Sequence, residues 1–246
     1  SHVSFAYPGG EKIYEDFNLS ATPGQIIGVT GAVACGKSTL GKTFLCEYPY
    51  EGRICFHGKE LSGMTKAEQN GMVGYLGHDP ELFNDSVRNN ILLGDDDDPE
   101  KYLEAVCFDG EVAEMEEGMD TIVGNGGVRL SGGQAQRLAL ARTLCHKRPV
   151  LILDDPFSAL DRKTEKEVFA NLRKLTADSI VILLSHRLYL FPEMDQVLWM
   201  EDGKVTAGTH EQILEKFPEY ARLYEAQADG ADAHSTQEGG LDHAEK

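Results

Sequence analysis

The sequence contains no run of eighteen or more apolar residues, the length a helix needs to cross a bilayer. Its longest apolar runs, such as Val150 to Leu153 and Ile180 to Leu184, have the length of buried strands. The chain itself is therefore not expected to span a membrane. Positive charge is scarce: 23 Lys and Arg stand against 41 Asp and Glu, a formal net charge of −18. Nucleic-acid binding relies on clustered cations that neutralise phosphates, so no nucleic-acid partner is expected. Cysteine occurs at five positions, Cys35, Cys46, Cys55, Cys107 and Cys145. An odd number without C-x-x-C spacing argues against a disulfide framework or a zinc site and fits a reducing cytosol. Acid is concentrated from Asp95 to Asp120 and again after Gln227. The run Asp95 to Asp98 lacks the spaced oxygen ligands and central Gly of a calcium loop and reads as a solvated face.

A length of 246 residues suits one domain carrying a sizeable insertion. The chain begins at Ser1 without Met and runs straight into a strand-like segment, His2 to Tyr7, so it reads as cut from something longer. Further strands are predicted at Phe17 to Ala21, Gln25 to Thr30, Arg53 to His57 and Gly71 to Leu76. From Pro80 to about Val128 the periodicity becomes helical, in Ser86 to Leu93 and Pro99 to Phe108, which predicts an inserted helical subdomain. Alternation then resumes: helix Ser131 to His146, strand Val150 to Leu153, helix Thr164 to Leu175, strand Ser179 to Leu184 and strand Gln196 to Glu201. This predicts an α/β core that is at least partly parallel. An amphipathic stretch, Glu211 to Gln227, closes the domain, and Ala228 to Lys246, with almost no apolar anchors, is expected to be a disordered acidic tail.

The chain is organised around Gly31 to Thr39, GAVACGKST, which fits G-x-x-x-x-G-K-[ST] at Gly31, Gly36, Lys37 and Ser38. A predicted strand precedes it and a helical pattern follows, so backbone N–H groups and a helix N-terminus are set to capture phosphate. Lys37 is expected to reach the β and γ phosphates of a nucleoside triphosphate, and the Ser38 hydroxyl to ligate Mg2+. Ala34 stands where many such loops have Gly, and its Cβ restricts the backbone; tuning is expected, not loss. Cys35 reads as a small residue in place of Ser, with a redox-sensitive thiol as the alternative. Val150 to Asp155 is a buried strand ending in carboxylates, where open α/β sheets bind ligands, and Asp154 is the candidate partner for Mg2+.

Between these two motifs lies Leu130-Ser131-Gly132-Gly133-Gln134 at the start of a helix. With GAVACGKST, Leu151-Ile-Leu-Asp154-Asp-Pro156, Ser158-Ala-Leu-Asp161 and His186 following in order, the sequence resembles the ATP-binding cassette (ABC) family over nearly all of residues 2 to 227. The resemblance implies a P-loop ATPase core with a parallel sheet, an antiparallel N-terminal β subdomain and a helical subdomain inserted at about 80–145. It implies ATP and Mg2+ as ligands, with adenine stacked on Tyr7 and phosphates cradled by Gly31, Ala34, Cys35, Gly36, Lys37, Ser38 and Thr39. Ser131, Gly132, Gly133 and Gln134 are implied to contact ATP held by a second nucleotide-binding domain packed head to tail. His186 matches the switch histidine that reaches the γ-phosphate, and Asp161 the residue that communicates between paired sites. Thr121 to Gly127, with Asn125 where a Glu is usual, resembles the coupling segment of exporters. With Gly208-Thr-His-Glu211, it implies exporter transmembrane domains as partners and a place at the cytoplasmic face of a membrane.

Two departures bear on the reaction. Asp155 stands where hydrolytic members carry Glu; the missing methylene withdraws the carboxylate by on the order of 1.5 Å. Misplacing a base by about 1 Å can cost roughly a hundredfold. His78, in Gly74-Tyr-Leu-Gly-His78, replaces the Gln that contacts Mg2+ and the attacking water, and an imidazole has a different reach. Asp155, His78, Lys37 and His186 are thus the candidate catalytic groups, and Ser38, Asp154 and His78 the candidate metal contacts. The signature is intact while the chain's own γ-phosphate side departs, which favours a weakly hydrolysing half of a heterodimeric exporter. A homodimer with Asp155 as a slow base is the alternative; a soluble cassette ATPase is disfavoured.

Overall fold

The computed structural model describes residues 1–235 apart from Val33 and Asn125. An antiparallel pair, β1 (Val3–Ala6) and β2 (Lys12–Phe17), opens the chain, followed by β3 (Ile26–Gly31) and α1 (Lys37–Thr43). A two-residue hairpin, β4 (Cys55–Phe56) and β5 (Lys59–Glu60), precedes α2 (Lys66–Met72) and β6 (Val73–Leu76). Short elements follow: β7 (Asp85–Ser86), α3 (Val87–Leu92), α4 (Glu100–Ala105), α5 (Asp109–Ala113) and β8 (Ile122–Val123). Then come α6 (Gly132–Cys145), β9 (Val150–Asp154), α7 (Arg162–Leu175), β10 (Ile180–Leu184), β11 (Gln196–Glu201), β12 (Lys204–Gly208), α8 (His210–Lys216) and α9 (Pro218–Ser235).

Six strands form one sheet in the order β12-β11-β3-β10-β9-β6, parallel except for the β11–β12 hairpin. Alternating side chains assign the central strands to two cores. In β9 and β10, Leu151, Leu153, Val181 and Leu183 enter the core shared with α6 and α7, while Val150, Ile152, Ile182 and Leu184 enter the one shared with β1, β2 and α1. Burial on both faces explains why these strands read as unbroken apolar runs. Helices α3 and α4 pack on α6, so the helical insertion rests on the helix that follows the LSGGQ segment.

Two expectations are corrected. The strand expected at Phe17 to Ala21 is instead Lys12–Phe17: Asp16 adopts a left-handed φ of 52°, and this irregularity brings Tyr14 and Phe17, three residues apart, both inward. The period of two is lost there, and with it the sequence signal. The single amphipathic stretch from Glu211 is two helices, because Phe217 leaves the helical region just before Pro218. Helix α9 is described to Ser235; most of the segment expected to be an acidic tail, residues 236–246, lies outside the described residues. No helix among the described residues is long and apolar enough to cross a membrane.

Candidate nucleotide site

Strands β3, β10, β9 and β6 are parallel neighbours, so their C-terminal ends reach one edge of the sheet. The chain beyond each end delivers one part of the site: Lys37 and Ser38 after β3, Ser185 and His186 after β10, Asp154 and Asp155 from β9, His78 after β6. Two backbone bonds tie the ends together, Ser185 N–H to Val29 O at 3.1 Å and Asp155 N–H to Leu184 O at 2.8 Å. Between them opens a cleft of about 300 Å³ lined by Lys37, Ser38, His78, Asp154, Asp155, Leu184, Ser185 and His186. Residues separated by up to 149 positions meet there only because the sheet is parallel.

The loop after β3 uses backbone conformations that most side chains resist. Gly36 has φ 99° and precedes α1; a Cβ there would sit 2.4 Å from Ile13 Cγ2. Ala34 also lies in the left-handed region, at φ 63°, a conformation costing roughly 1–2 kcal/mol for a residue with a Cβ. The Lys37 ammonium is buried and donates to Gly31 O and Ala32 O, each at 3.1 Å, and lies 3.7 Å from Cys35 Sγ. A buried cation bonded to neutral carbonyls retains its full charge for an anion. Tyr7, exposed beside the loop, places its hydroxyl 3.3 Å from Thr39 Oγ1, and its ring meets Tyr48 edge-on at 5.3 Å.

Asp154 is buried, and Tyr75 Oη donates to its Oδ2 at 3.2 Å. Burial, then the neighbouring Asp154 carboxylate, push the Tyr75 phenol up, so it remains a donor. Sequence reasoning missed this tyrosine, which stands in β6, the parallel neighbour of β9. Asp155 takes a left-handed φ of 51° and holds Ser158 N–H at 3.2 Å through its carbonyl. Its Oδ1 is buried without a hydrogen-bond partner among the described residues. Burial pushes its carboxyl up, against the pull of His186, His78 and Arg187. Desolvation by its neighbours and the Lys37 ammonium push the His186 imidazole down although the residue is exposed, which keeps it neutral at pH 7.

The residue types fit the expected ligands. A hydroxyl and a carboxylate are hard oxygen donors of the kind Mg2+ takes, Lys37 supplies an uncompensated cation, and Asp155 Oδ1 is an acceptor awaiting a donor. Ser38, Asp154 and His78 all line the cleft, although the described residues hold no group of three or more His, Cys, Asp or Glu that could by itself bind a metal ion.

The LSGGQ segment is not part of this cleft. Ser131 caps α6 in a capping box: Gln134 N–H donates to Ser131 Oγ at 3.2 Å, and Ser131 N–H to Gln134 Oε1 at 2.8 Å. Glu111 then receives Gln134 Nε2 at 2.7 Å and Arg137 Nη2 at 2.5 Å, a tie to α5 not legible in the sequence. Ser131 and Gly132 are exposed, and a Cβ on Gly133 would stand 3.1 Å from Ala159 Cβ, next to the Ser158 to Asp161 segment. Asp161 caps α7 through Lys163 N–H at 2.9 Å and Thr164 N–H at 3.1 Å. In the segment Thr121 to Gly127, Asn84 Oδ1 accepts from Gly126 N–H at 2.9 Å; Asn125 lies outside the described residues.

A parallel sheet with a glycine-bent loop, a buried lysine and a strand-end aspartate at one edge defines a P-loop nucleotide-binding domain. Residues 14–158 match the family described as ABC transporter. The chain is 36% identical over 234 residues to the probable multidrug resistance ABC transporter ATP-binding/permease protein YheI of Bacillus subtilis, covering 92% of this chain and 40% of that protein. It is 38% identical over 231 residues to the ATP-dependent lipid A-core flippase of Pseudomonas putida, covering 91% of this chain and 38% of that protein. A solved structure titled as a bacterial Atm1-family ABC exporter with ATP bound superimposes with a TM-score of 0.84 at 30% identity, covering 92% of this chain and 41% of that one. The chain belongs to the ABC transporter family and has the fold of its ATPase domain. It spans about two-fifths of the length of these relatives.

Proposed function

We propose that this chain is the ATP-binding and hydrolysing motor domain of an ABC exporter, and that two such domains close head to tail around ATP. The observation that carries the reading is the convergence of Lys37, Ser38, Asp154, Asp155 and His186 on one cleft while the intact Ser131 to Gln134 segment faces solvent elsewhere. One cluster of phosphates does not use both from one chain. A second nucleotide-binding domain supplies the missing half.

In this reading Tyr7 stacks on adenine, Lys37 neutralises charge on the β and γ phosphates, and the loop N–H groups orient them. Ser38 and Asp154, with His78 nearby, would hold Mg2+, which would supply Lewis-acid stabilisation of the phosphoryl oxygens. Tyr75 fixes the Asp154 carboxylate. Asp155, made more basic by burial, accepts a proton from the attacking water, and neutral His186 donates a hydrogen bond toward the γ-phosphate. The short Asp155 side chain keeps that base away from the water, so turnover at this site is slow and a heterodimer with a Glu-bearing partner is favoured. Exposed Ile122 within the Thr121 to Gly127 segment, with exposed Phe83 and Val128 beside it, offers apolar contact to transmembrane domains at the cytoplasmic face of a membrane.

The test is the steady-state ATPase rate with ATP-dependent dimerisation, for this chain alone and mixed with a cassette carrying Glu at the position of Asp155. Slow turnover alone, stimulated at least about tenfold in the mixture and reduced again by Ser131→Ala here, is expected. Fast turnover alone, lost with Lys37→Ala, would replace the heterodimer by a homodimeric motor.

A further inference from the structure

The loop that carries His186 is held from two sides. On one side Arg187 reaches the Ser158 to Asp161 segment: Nη1 donates to Leu160 O at 2.7 Å and to Glu165 Oε2 at 2.6 Å, and Nη2 to Ser158 O at 2.6 Å. Glu165 is fully buried at the start of α7 and also receives the Tyr189 hydroxyl. On the other side stands Gln227 of α9, forty-one residues away in sequence. Its Nε2 donates to His186 O at 2.7 Å, and its Oε1 accepts Leu188 N–H at 2.8 Å. One carboxamide thus spans the backbone of the histidine itself and of the residue two beyond it. Arg162 closes the arrangement by donating from Nη2 to Gln227 O at 2.5 Å while its guanidinium lies over the Tyr189 ring.

We infer that Gln227 is a positioning residue for His186: the C-terminal helix sets where the imidazole stands in the nucleotide cleft, so the state of α9 governs how well the site distinguishes a triphosphate from a diphosphate. Exposed His186 has no side-chain hydrogen bond to the described residues, so its ring direction depends on its backbone. That backbone carbonyl is fixed by Gln227. The Arg187 anchor starts one residue later and grips the Ser158 to Asp161 segment, leaving the His186 carbonyl to the helix. Two hydrogen bonds from one rigid amide fix a peptide's orientation as well as its place, which one bond does not.

The inference rests on the reading that His186 addresses the γ-phosphate, and the experiment separates the two. Dissociation constants for Mg-ATP and Mg-ADP are measured on the 246-residue chain and on Gln227→Ala, Gln227→Glu, His186→Ala and the Gln227→Ala/His186→Ala double variant. Gln227→Ala is expected to lower the preference for ATP over ADP about fivefold to tenfold, the scale of one or two lost hydrogen bonds, with ADP affinity unchanged. In the His186→Ala background it should have no further effect. Gln227→Glu keeps the acceptor for Leu188 N–H and the side-chain size but sets a carboxylate oxygen against His186 O in place of the donor, so it should lower the preference at least as far as Gln227→Ala. Equal losses for ATP and ADP, or additive losses in the double variant, would reduce Gln227 to a stabilising contact. If His186→Ala shifts the preference and neither Gln227 variant does, the inference alone fails. If His186→Ala leaves the preference unchanged, the role given to His186 fails and this inference with it.

Discussion

The nucleotide cleft and the LSGGQ edge are both built at the start of a helix, yet they solve the placement of polar groups in opposite ways. At the LSGGQ edge hydrogen bonds close locally: Ser131 and Gln134 cap each other, and Glu111 receives both Gln134 and Arg137. At the cleft, polar groups are left facing inward: the Lys37 ammonium bonds neutral carbonyls, Asp155 Oδ1 has no partner, and Ala34 and Asp155 both occupy left-handed conformations. Such uncompensated charge and backbone strain cost stability unless a ligand meets them. Under the proposed reading, the cleft binds the anion and the exposed Ser131 and Gly132 meet a second domain.

The largest way to break that comparison is Lys37→Ala. Removing a charge-assisted contact to phosphate should weaken Mg-ATP binding on the order of a hundredfold, measured by titration calorimetry, with ADP affected as well. An unchanged affinity would leave the loop without its anion role. Next in size is Asp155→Glu. Restoring one methylene should raise single-turnover hydrolysis, in the presence of a complementing cassette, by roughly ten- to a hundredfold. No change in rapid-quench measurements would remove side-chain reach as the cause of slow chemistry and turn attention to His78.

The architecture was legible wherever a residue's role is local. Val150 to Leu153 and Ser179 to Leu184 read as buried strands because both of their faces are covered, and Ser131 reads as a helix start because capping is a matter of three or four residues. The Asp202-Gly203 turn of the β11–β12 hairpin, with φ of 48° and 72°, carried an equally strong signal that the alternation of Lys204 to Gly208 was too weak to confirm. What the sequence could not show is contact across long separations. Tyr75 on Asp154, Glu111 on Gln134 and Gln227 on His186 pair residues 79, 23 and 41 positions apart. No spacing rule links such pairs; only the order of strands in the sheet and the packing of the helices bring them together.

The smallest effect concerns the energetic cost of the cleft itself. Burial raises the Asp155 carboxyl above its ordinary range, so the folded protein holds that proton more tightly than the unfolded chain does. Its contribution to stability is therefore fully present below the unfolded value, about 4 for an aspartate, and is lost as pH rises through the folded value. Above the folded value the ionised carboxylate, whose Oδ1 has no partner among the described residues, is a net cost. Asp155→Asn removes the charge, and should raise the melting temperature at pH 7 by about 2 °C, the scale of one unsatisfied buried acceptor in a chain of this size. The gain should shrink as pH falls through the raised folded value and be gone below about 4, where wild-type Asp155 is protonated in both states. Thermal melts of the two proteins between acid and neutral pH read the difference directly. A gain independent of pH would assign it to packing, and no gain at pH 7 would mean that the carboxylate is already compensated by His186, His78 and Arg187. The same substitution should abolish any base role in hydrolysis, so stability gained and turnover lost in one variant would place the strain of the cleft in the service of its chemistry.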